Sequence, residues 1–338
     1  MTRAAPATLA ARAIPAGIER FRIDDRAAWL ARRRADVTAS SVAALLNEHP
    51  YVTAFGLYAL KTGAAPDAEA EPIINGNTIS LPPLVRGTVL EPVAPVVLRL
   101  LRPFWQVEPC GFYYRDPTVR LGATPDFLAV DPDRAGFGSV QVKTTDQMTL
   151  RRGWTTDDGA VEPPLFIVIQ AIVEAALTGA SWCSVAVLVS GHTLDLHLID
   201  VPIHLGIMGR LRSEVSGFWS RVERGEPPEP DYSRDGETLS AVYRDDNAQE
   251  LDLTGDNRAP ELCAELDGLL LARRDADDRI ETIKAELKHK LGHHESAVLA
   301  DGRRITWRAQ SRAMRFLPPT ESRVLRVGQP RSQESCYA

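Results

Sequence analysis

The chain has 338 residues, of which 44% are hydrophobic and 25% charged, and its formal net charge is −6. This length and apolar content predict a domain with a substantial core, while the acidic balance excludes a surface coated with basic residues but not a local basic groove. The four cysteines lack a CxxC pair, which argues against a zinc knuckle, a disulfide framework and an iron–sulfur cluster. No apolar run approaches the roughly 20 residues that span a bilayer, and the start lacks a secretory pattern. We therefore expect a cytoplasmic protein that does not contact membranes.

The N-terminal part is predicted to contain two helices followed by a loop. Residues 25–34 and 39–46 have helical patterns, and Thr38 or Ser40 is placed to cap the second helix. Residues 64–80 are acidic and contain proline, glycine and asparagine without a sustained period, which indicates an exposed loop.

A kinked helix is predicted after this loop. The apolar segment that begins at Leu81 contains Pro92 and Pro95, and each proline removes a helix hydrogen bond. We therefore expect a break in the helix, with Glu91 standing at it.

Short strands are predicted next, in the segments GFYYRD, VRLGA, DFLAV and SVQVK. Asp, Pro and Gly turns separate them, which favours an antiparallel meander. A strongly apolar helix, LFIVIQAIVEAALTG, and two further strands, SWCSVAVLVS and LDLHLIDV, follow. This order predicts an α/β fold with a mixed sheet flanked by helices.

The composition changes after Val222, where RGEPPEPDYSRDGE is typical of a linker. Residues 261–291 then have apolar positions spaced four and three apart, which predicts a long helix. The segment SAVLADGRRITWRA predicts a β-hairpin that turns at Asp301 and Gly302.

Polar side chains are expected to meet at one edge of the predicted sheet. Because strand side chains alternate, Gln141 and Lys143 share the face opposite the two valines of SVQVK, and Asp126 begins the preceding strand. Together with Glu91, these groups would offer a hard divalent cation two carboxylates, an amide oxygen and the carbonyl of Val142. A lysine beside them can orient a water and offset negative charge on a phosphate.

The order of these motifs resembles the PD-(D/E)xK nuclease superfamily. GxxxE ending at Glu91, TPD ending at Asp126, QVK ending at Lys143, and Gln170 on the next helix are similar to the YqaJ viral recombinase group, which includes lambda exonuclease. Residues 32–63 are similar to the N-terminal signature of that group. The resemblance covers about residues 29–189.

The resemblance implies a restriction-endonuclease-like core and a Mg²⁺-dependent exonuclease, with Mn²⁺ as the alternative ion. Such an enzyme digests the 5′ strand of linear duplex DNA for recombination. It would be encoded by a phage or prophage and act in the bacterial host cell. The implied partners are duplex DNA ends, a single-strand annealing protein and further copies of the chain in a homo-oligomer.

The resemblance also assigns roles to individual residues. In the matched motifs Gln141 stands where the family usually has glutamate, and Lys143 is the catalytic lysine. The implied metal ligands are Glu91, Asp126, Gln141 and the carbonyl of Val142. The implied catalytic residues are Glu91, Asp126, Gln141, Lys143 and Gln170.

A 5′-phosphate site is implied at the N-terminal signature. Arg33 and Ser40 match the positions that hold the phosphate, Arg32 and Arg34 are adjacent alternatives, and Thr124 of the TPD motif is a further residue expected to bind DNA. The alternative interpretation of the arginine run is an ordinary charged helix end.

The glutamine at position 141 leaves two functions open. An amide oxygen carries no charge, so the site would hold Mg²⁺ less tightly than a glutamate would. Asp146 or Glu174 are candidates for the missing carboxylate, although Gln170 and Glu174 could instead form the solvated edge of a packed helix. The alternative function is a catalytically degenerate nuclease fold that binds DNA ends.

The predicted organisation has five parts: an N-terminal arm (1–24), a YqaJ-like nuclease domain (25–224), a linker (225–258), an accessory helix and β-hairpin (259–310) and a flexible tail (311–338).

Overall fold

The computed structural model describes residues 9, 12, 14–66, 71–75 and 78–309. The chain forms two compact units, the first ending at Val242 and the second beginning at Tyr243. The predicted flexible tail, 311–338, lies outside the described residues.

The first unit mixes helices and strands, as the sequence predicts. Its α-helices are α1 (Arg26–Ala35), α2 (Ala54–Thr62), α3 (Pro83–Leu90), α4 (Ala94–Leu101), α5 (Gln147–Gly153), α6 (Leu165–Thr178), α7 (Leu205–Arg224) and α8 (Gly236–Val242). Its strands are β1 (Glu19–Arg22), β2 (Val37–Thr38), β3 (Ile73–Asn75), β4 (Thr78–Ser80), β5 (Gln106–Pro109), β6 (Phe112–Asp116), β7 (Leu121–Ala123), β8 (Phe127–Val130), β9 (Gly138–Asp146), β10 (Trp182–Ser190) and β11 (Leu194–Val201). Short 3₁₀ helices cover Val42–Leu46 and Glu91–Val93.

Two mixed sheets organise this unit. The larger has the order β11-β10-β9-β8-β5, in which β9 and β10 are parallel and the other pairs antiparallel. The smaller has the order β1-β6-β7-β2, in which only β2 and β7 are parallel. Helix α6 packs against strands of both sheets. The predicted mixed sheet flanked by helices is therefore confirmed.

The predicted single meander is wrong, because its four strands divide between the two sheets. Strands β6 and β7 pair in the smaller sheet, whereas β8 and β9 pair in the larger. The chain changes sheet at the Thr124–Asp126 turn, where Pro125 has no N–H to donate to a continuing ladder.

Two N-terminal predictions also differ from the structure. The expected helix at 39–46 is only the short 3₁₀ helix Val42–Leu46, which follows strand β2 (Val37–Thr38). The Thr38 hydroxyl bonds to those of Ser40 and Ser41, and local bonds of this kind compete with a regular helix. The expected loop at 64–80 contains the β3–β4 hairpin.

The predicted kink is confirmed. Helix α3 ends at Leu90, the 3₁₀ turn carries Glu91, and α4 begins at Ala94. Pro92 and Pro95 each occupy the first turn of the element that follows, where a missing N–H costs least.

The second unit contains α9 (Arg258–Leu291) and a hairpin of β12 (Ser296–Val298) and β13 (Arg304–Thr306), which confirms the predicted helix and hairpin. Gly302, in the predicted turn, has a φ of 82°, a conformation that glycine adopts without strain. Of the helices in the described part of the chain, none has the length and apolar character of a membrane span.

Candidate active site

The polar groups predicted to meet around β9 include a pair in direct contact. Asp126 immediately precedes β8, and Gln141 lies on the adjacent strand β9. The side-chain nitrogen Nε2 of Gln141 donates to Asp126 Oδ2 at 2.5 Å, and the backbone N–H of Val142 donates to the same oxygen at 2.7 Å. Gln141 Nε2 also donates to the Val142 carbonyl at 3.2 Å. These contacts fix the Asp126 carboxylate against β9.

Glu91 approaches this pair from the break between α3 and α4. Partial burial raises the pKa of Glu91, and the charge of Lys143 opposes that rise. Burial raises the pKa of Asp126 most, and the Glu91 charge adds to that rise. The 3₁₀ turn that carries Glu91 contacts β9, so the break in the helix brings a second acidic group to the strand that carries Gln141.

Lys143 connects the strand to α6 through a chain of hydrogen bonds. Lys143 Nζ donates to Gln170 Oε1 at 2.9 Å, and Gln170 Nε2 donates to Glu174 Oε1 at 2.8 Å. Gln170 is 7% exposed and Glu174 1% exposed. The alternative of a solvated helix edge is therefore wrong, because α6 lies between the two sheets.

Burial raises the pKa values of the acidic groups of the site. Burial is the main cause that raises the pKa of Asp126, and Lys143 opposes it. Burial also raises the pKa of Glu174, and the neighbouring Asp126 charge adds to that rise. A cation bound among these groups would stabilise their ionised forms instead.

The donor set fits one hard divalent cation. Gln141 Oε1 is buried without a hydrogen-bond partner, so an oxygen ligand is available there. Within residues 14–66, 71–75 and 78–309, no three His, Cys, Asp or Glu side chains group closely enough to hold a metal by themselves. Asp146 caps α5 through the N–H groups of Met148 and Thr149, so it does not supply the missing carboxylate.

A second polar group lies at the C-terminal end of α1. Arg33 Nη2 donates to Ser40 Oγ at 3.2 Å, and the Arg33 guanidinium lies 4.7 Å from the centre of the Trp29 ring. Trp29 Nε1 donates to Thr124 Oγ1 at 3.0 Å, two residues before Asp126. This bond ties the arginine-bearing helix to the turn that carries the acidic group.

The adjacent arginines face different surroundings. Arg33, Arg34 and Ser40 line a cavity of about 710 Å³, together with Lys61. The Arg32 guanidinium instead lies 3.8 Å from the centre of the Phe21 ring. The structure therefore separates Arg32 from the group predicted to hold a phosphate.

Sequence reasoning missed two residues near this cavity. Lys61 Nζ donates to the Arg33 carbonyl at 2.6 Å, and its position within the signature segment 32–63 was the available signal. His49 Nδ1 accepts from the backbone N–H groups of Tyr51 and Val52, and its ring bonds to the backbone of Ser40. Burial lowers the pKa of His49, and nothing in the sequence pattern marks this histidine.

The segment that carries the residues of both polar groups matches the model of a known protein family. Residues 28–181 match the family model of the YqaJ-like viral recombinase domain. No curated protein matches the sequence.

Several solved structures are similar at low identity. An alkaline exonuclease (LHK-Exo) from Laribacter hongkongensis is 21% identical, with a TM-score of 0.42, over 63% of this chain and 99% of that chain. LHK-Exo in complex with dAMP gives 21% identity and a TM-score of 0.42, over 59% of this chain and 94% of that chain. A SOX–DNA complex gives 10% identity and a TM-score of 0.37, over 59% of this chain and 68% of that chain.

Proposed function

We propose that this chain, whose residues 28–181 form a YqaJ-like viral recombinase domain, is a metal-dependent DNA exonuclease of the phage or prophage type. It would digest the 5′ strand of linear duplex DNA by phosphodiester hydrolysis, in the bacterial cytoplasm. The convergence of Asp126, Gln141, Lys143 and Glu91 around β8 and β9 is the observation that carries this proposal.

The proposed metal site uses oxygen donors from three elements. Glu91 would contribute from the 3₁₀ turn, Asp126 from the start of β8, and Gln141 and the Val142 carbonyl from β9. The chemistry supplied by bound Mg²⁺ or Mn²⁺ is polarisation of a phosphoryl oxygen and a lowered pKa of water. The bond from the Val142 N–H holds Asp126 in place for this role.

Lys143 is the proposed catalytic cation. Its ammonium group would offset the negative charge that develops on the phosphate and orient the attacking water. Its hydrogen bond to an uncharged amide, Gln170, leaves that positive charge uncompensated by this partner.

The proposed DNA-end site is the cavity beside α1. Arg33, Arg34 and Lys61 give it a positive lining, and Ser40 adds a hydroxyl donor, which together suit a terminal 5′-phosphate. Thr124, which accepts from Trp29, would set the distance between this phosphate and the acidic group. The proposed partners are duplex DNA ends, a single-strand annealing protein and further copies of the chain.

The test is degradation of a linear, 5′-phosphorylated duplex with Mg²⁺ or Mn²⁺, beside a closed circular duplex. The wild-type protein should degrade only the linear substrate, and Lys143→Ala should lower the rate by about 100-fold or more. Lys284→Ala, which removes an exposed lysine of α9, is the matched control and should retain the wild-type rate. Activity that persists in Lys143→Ala would contradict the assigned role.

A second candidate is a degenerate nuclease fold that binds DNA ends without cutting them. The observation that favours it is the bond from Gln141 to Asp126 Oδ2, which engages an oxygen that an ion would need. Gln141→Glu discriminates the two candidates. Cleavage gained by this variant from an inactive parent would support the second candidate, whereas an active parent would exclude it.

A further inference from the structure

The hydrogen-bond chain from β9 into α6 ends at a residue that has no role in the proposed metal or DNA-end site. Glu174 lies one helical turn beyond Gln170 and is 1% exposed. Its Oε1 accepts from Gln170 Nε2, while its Oε2 is buried without a hydrogen-bond partner. A buried carboxyl group is costly unless its hydrogen bonds compensate, so its presence here calls for a reason.

The direction of the chain follows from what each group can do. An ammonium group only donates, so Lys143 must meet the oxygen of the Gln170 amide. The amide nitrogen then points towards α6, where it needs an acceptor, and Glu174 supplies it. Each donor in the chain therefore points from the strand towards Glu174.

We propose that Glu174 is a positioning residue, which fixes the orientation of the Gln170 amide and thereby holds the Lys143 ammonium group in place. The effect of this role on DNA cleavage rests on the proposed function, whereas the hydrogen bonds from Lys143 to Glu174 do not depend on the cleavage reaction. Without an acceptor at position 174, the buried Gln170 NH₂ group loses its partner, and the amide no longer has a preferred orientation.

The neighbours of Lys143 explain why its ammonium group needs to be held in place. The charge of Lys143 opposes the rise that burial causes in the pKa values of Asp126 and Glu91, so the lysine lies within electrostatic range of both carboxyl groups. A lysine released from Gln170 would be drawn to these carboxylates and would compete with a cation for their oxygens. Glu174 holds Lys143 through an uncharged amide and so keeps the ammonium group off the metal ligands.

The role of Glu174 is therefore to accept a hydrogen bond, and its charge is not required. Glu174→Gln keeps an acceptor of the same shape, whereas Glu174→Leu removes it at similar volume. Thr178→Val is the matched control, because Thr178 is buried one turn further along α6 and bonds only to backbone carbonyls.

The first measurement is hydrogen exchange of the Lys143 ammonium group by NMR on ¹⁵N-lysine-labelled, full-length protein. The chain has five lysines, and the Lys143 signal is identified by its loss in Lys143→Ala. We expect exchange of this group to accelerate about tenfold or more in Glu174→Leu and to stay unchanged in Glu174→Gln and Thr178→Val.

The second measurement is the steady-state kinetics of the same variants on linear duplex DNA. Glu174→Leu should lower kcat by about 10- to 100-fold with little change in KM, and Glu174→Gln should keep kcat within about twofold of wild type. Combining Glu174→Leu with Gln170→Leu should add nothing to either single change, because both break the same chain.

Each outcome decides the proposal. Unchanged Lys143 exchange in Glu174→Leu, or a loss in Glu174→Gln as large as in Glu174→Leu, would overturn it. If Glu174→Leu does not fold, Gln170→Leu breaks the chain at its middle, and unchanged exchange there would overturn the proposal equally. Altered exchange in a protein that never cleaves DNA would refute the proposed function while leaving the positioning role intact.

Discussion

Buried carboxyl groups make single residues of this site sensitive to pH. Burial raises the pKa of Glu174, so the folded state binds its proton more tightly than the unfolded chain does. The resulting stabilisation is complete below the unfolded pKa of about 4.3 and is lost as the pH rises through the folded pKa. Outside the site, the buried Asp116 has a lowered pKa, acts in the opposite sense and loses its stabilisation as the pH falls.

A comparison of variants isolates the contribution of Glu174. Glu174→Gln mimics the protonated side chain at every pH, so it escapes the loss that the wild type undergoes at higher pH. We expect the Tm of the variant to exceed that of the wild type by an amount that grows from pH 5 to pH 9 by about 2 °C or more. Thermal unfolding of the metal-free proteins measures this difference, and a constant difference across the range would contradict the assigned pKa direction.

Neighbouring arginines should differ in their effect on DNA-end recognition. Arg33 bonds to Ser40 and lines the cavity, whereas Arg32 lies over the ring of Phe21. Arg33→Ala should reduce the preference for a 5′-phosphate over a 5′-hydroxyl end by about tenfold, because a charge-assisted bond is lost. Arg32→Ala, the matched control, should keep the preference. Initial rates on the two kinds of end measure both, and an equal loss in both variants would refute the assignment.

Among the elements, the start of β9 depends on a close contact with β10. Gly138 lies opposite Trp182 in the register of the two parallel strands, and a Cβ atom at Gly138 would overlap the indole ring. The centre of this ring lies 5.1 Å from that of Trp105, at an interplanar angle of 55°, so the ring has little room to move. The glycine therefore fixes the spacing of the strand pair that carries Gln141.

Substitution of this glycine tests the contact. Gly138→Ala should lower the free energy of unfolding by about 1–3 kcal/mol, the usual cost of overpacking a core. Gly209→Ala, in an open position of α7, should instead raise it by about 0.5–1 kcal/mol, because alanine is the better helix former. Urea denaturation of the two variants measures both changes, and a neutral Gly138→Ala would show that the two strands separate readily.

Over the whole molecule, the predicted linker at 225–258 is not uniform. Thr53 Oγ1 donates to the buried Asp235 at 2.6 Å, and Arg234 Nη2 donates to the His49 carbonyl at 2.5 Å. Helix α8 then continues to Val242, where the first compact unit ends. The segment up to this point is therefore held to the first unit.

Limited proteolysis should distinguish the part of this segment that is held to the first unit from the part after Val242. Trypsin should cleave at the exposed Arg244 and leave Arg234 intact, because cleavage requires local unfolding of the bonded segment. Asp235→Ala removes the acceptor of the Thr53 bond and should open Arg234 to cleavage. Mass spectrometry of the early fragments identifies the sites. Equal cleavage at both arginines of the wild-type chain would contradict the anchoring of this segment.

Local sequence patterns were enough to predict the α/β class, the break at Glu91, the apolar helix α6 and the helix and hairpin of the second unit. These features depend on local causes: proline geometry, side-chain alternation at period two and runs of apolar residues. The order of the motifs also indicated that Asp126, Gln141 and Lys143 would lie together, because neighbouring strands bring fixed positions side by side.

The other features of the fold and the site come from long-range packing. Division of the strands between two sheets, burial of Gln170 and Glu174, and the separation of Arg32 from Arg33 all depend on contacts between elements far apart in the chain. The short polar segments around Thr38 and strands β3 and β4 have no helical or strand period in the sequence, so their local structure could not be predicted. A local pattern states which face of an element is polar, whereas packing selects the partner that each polar group meets.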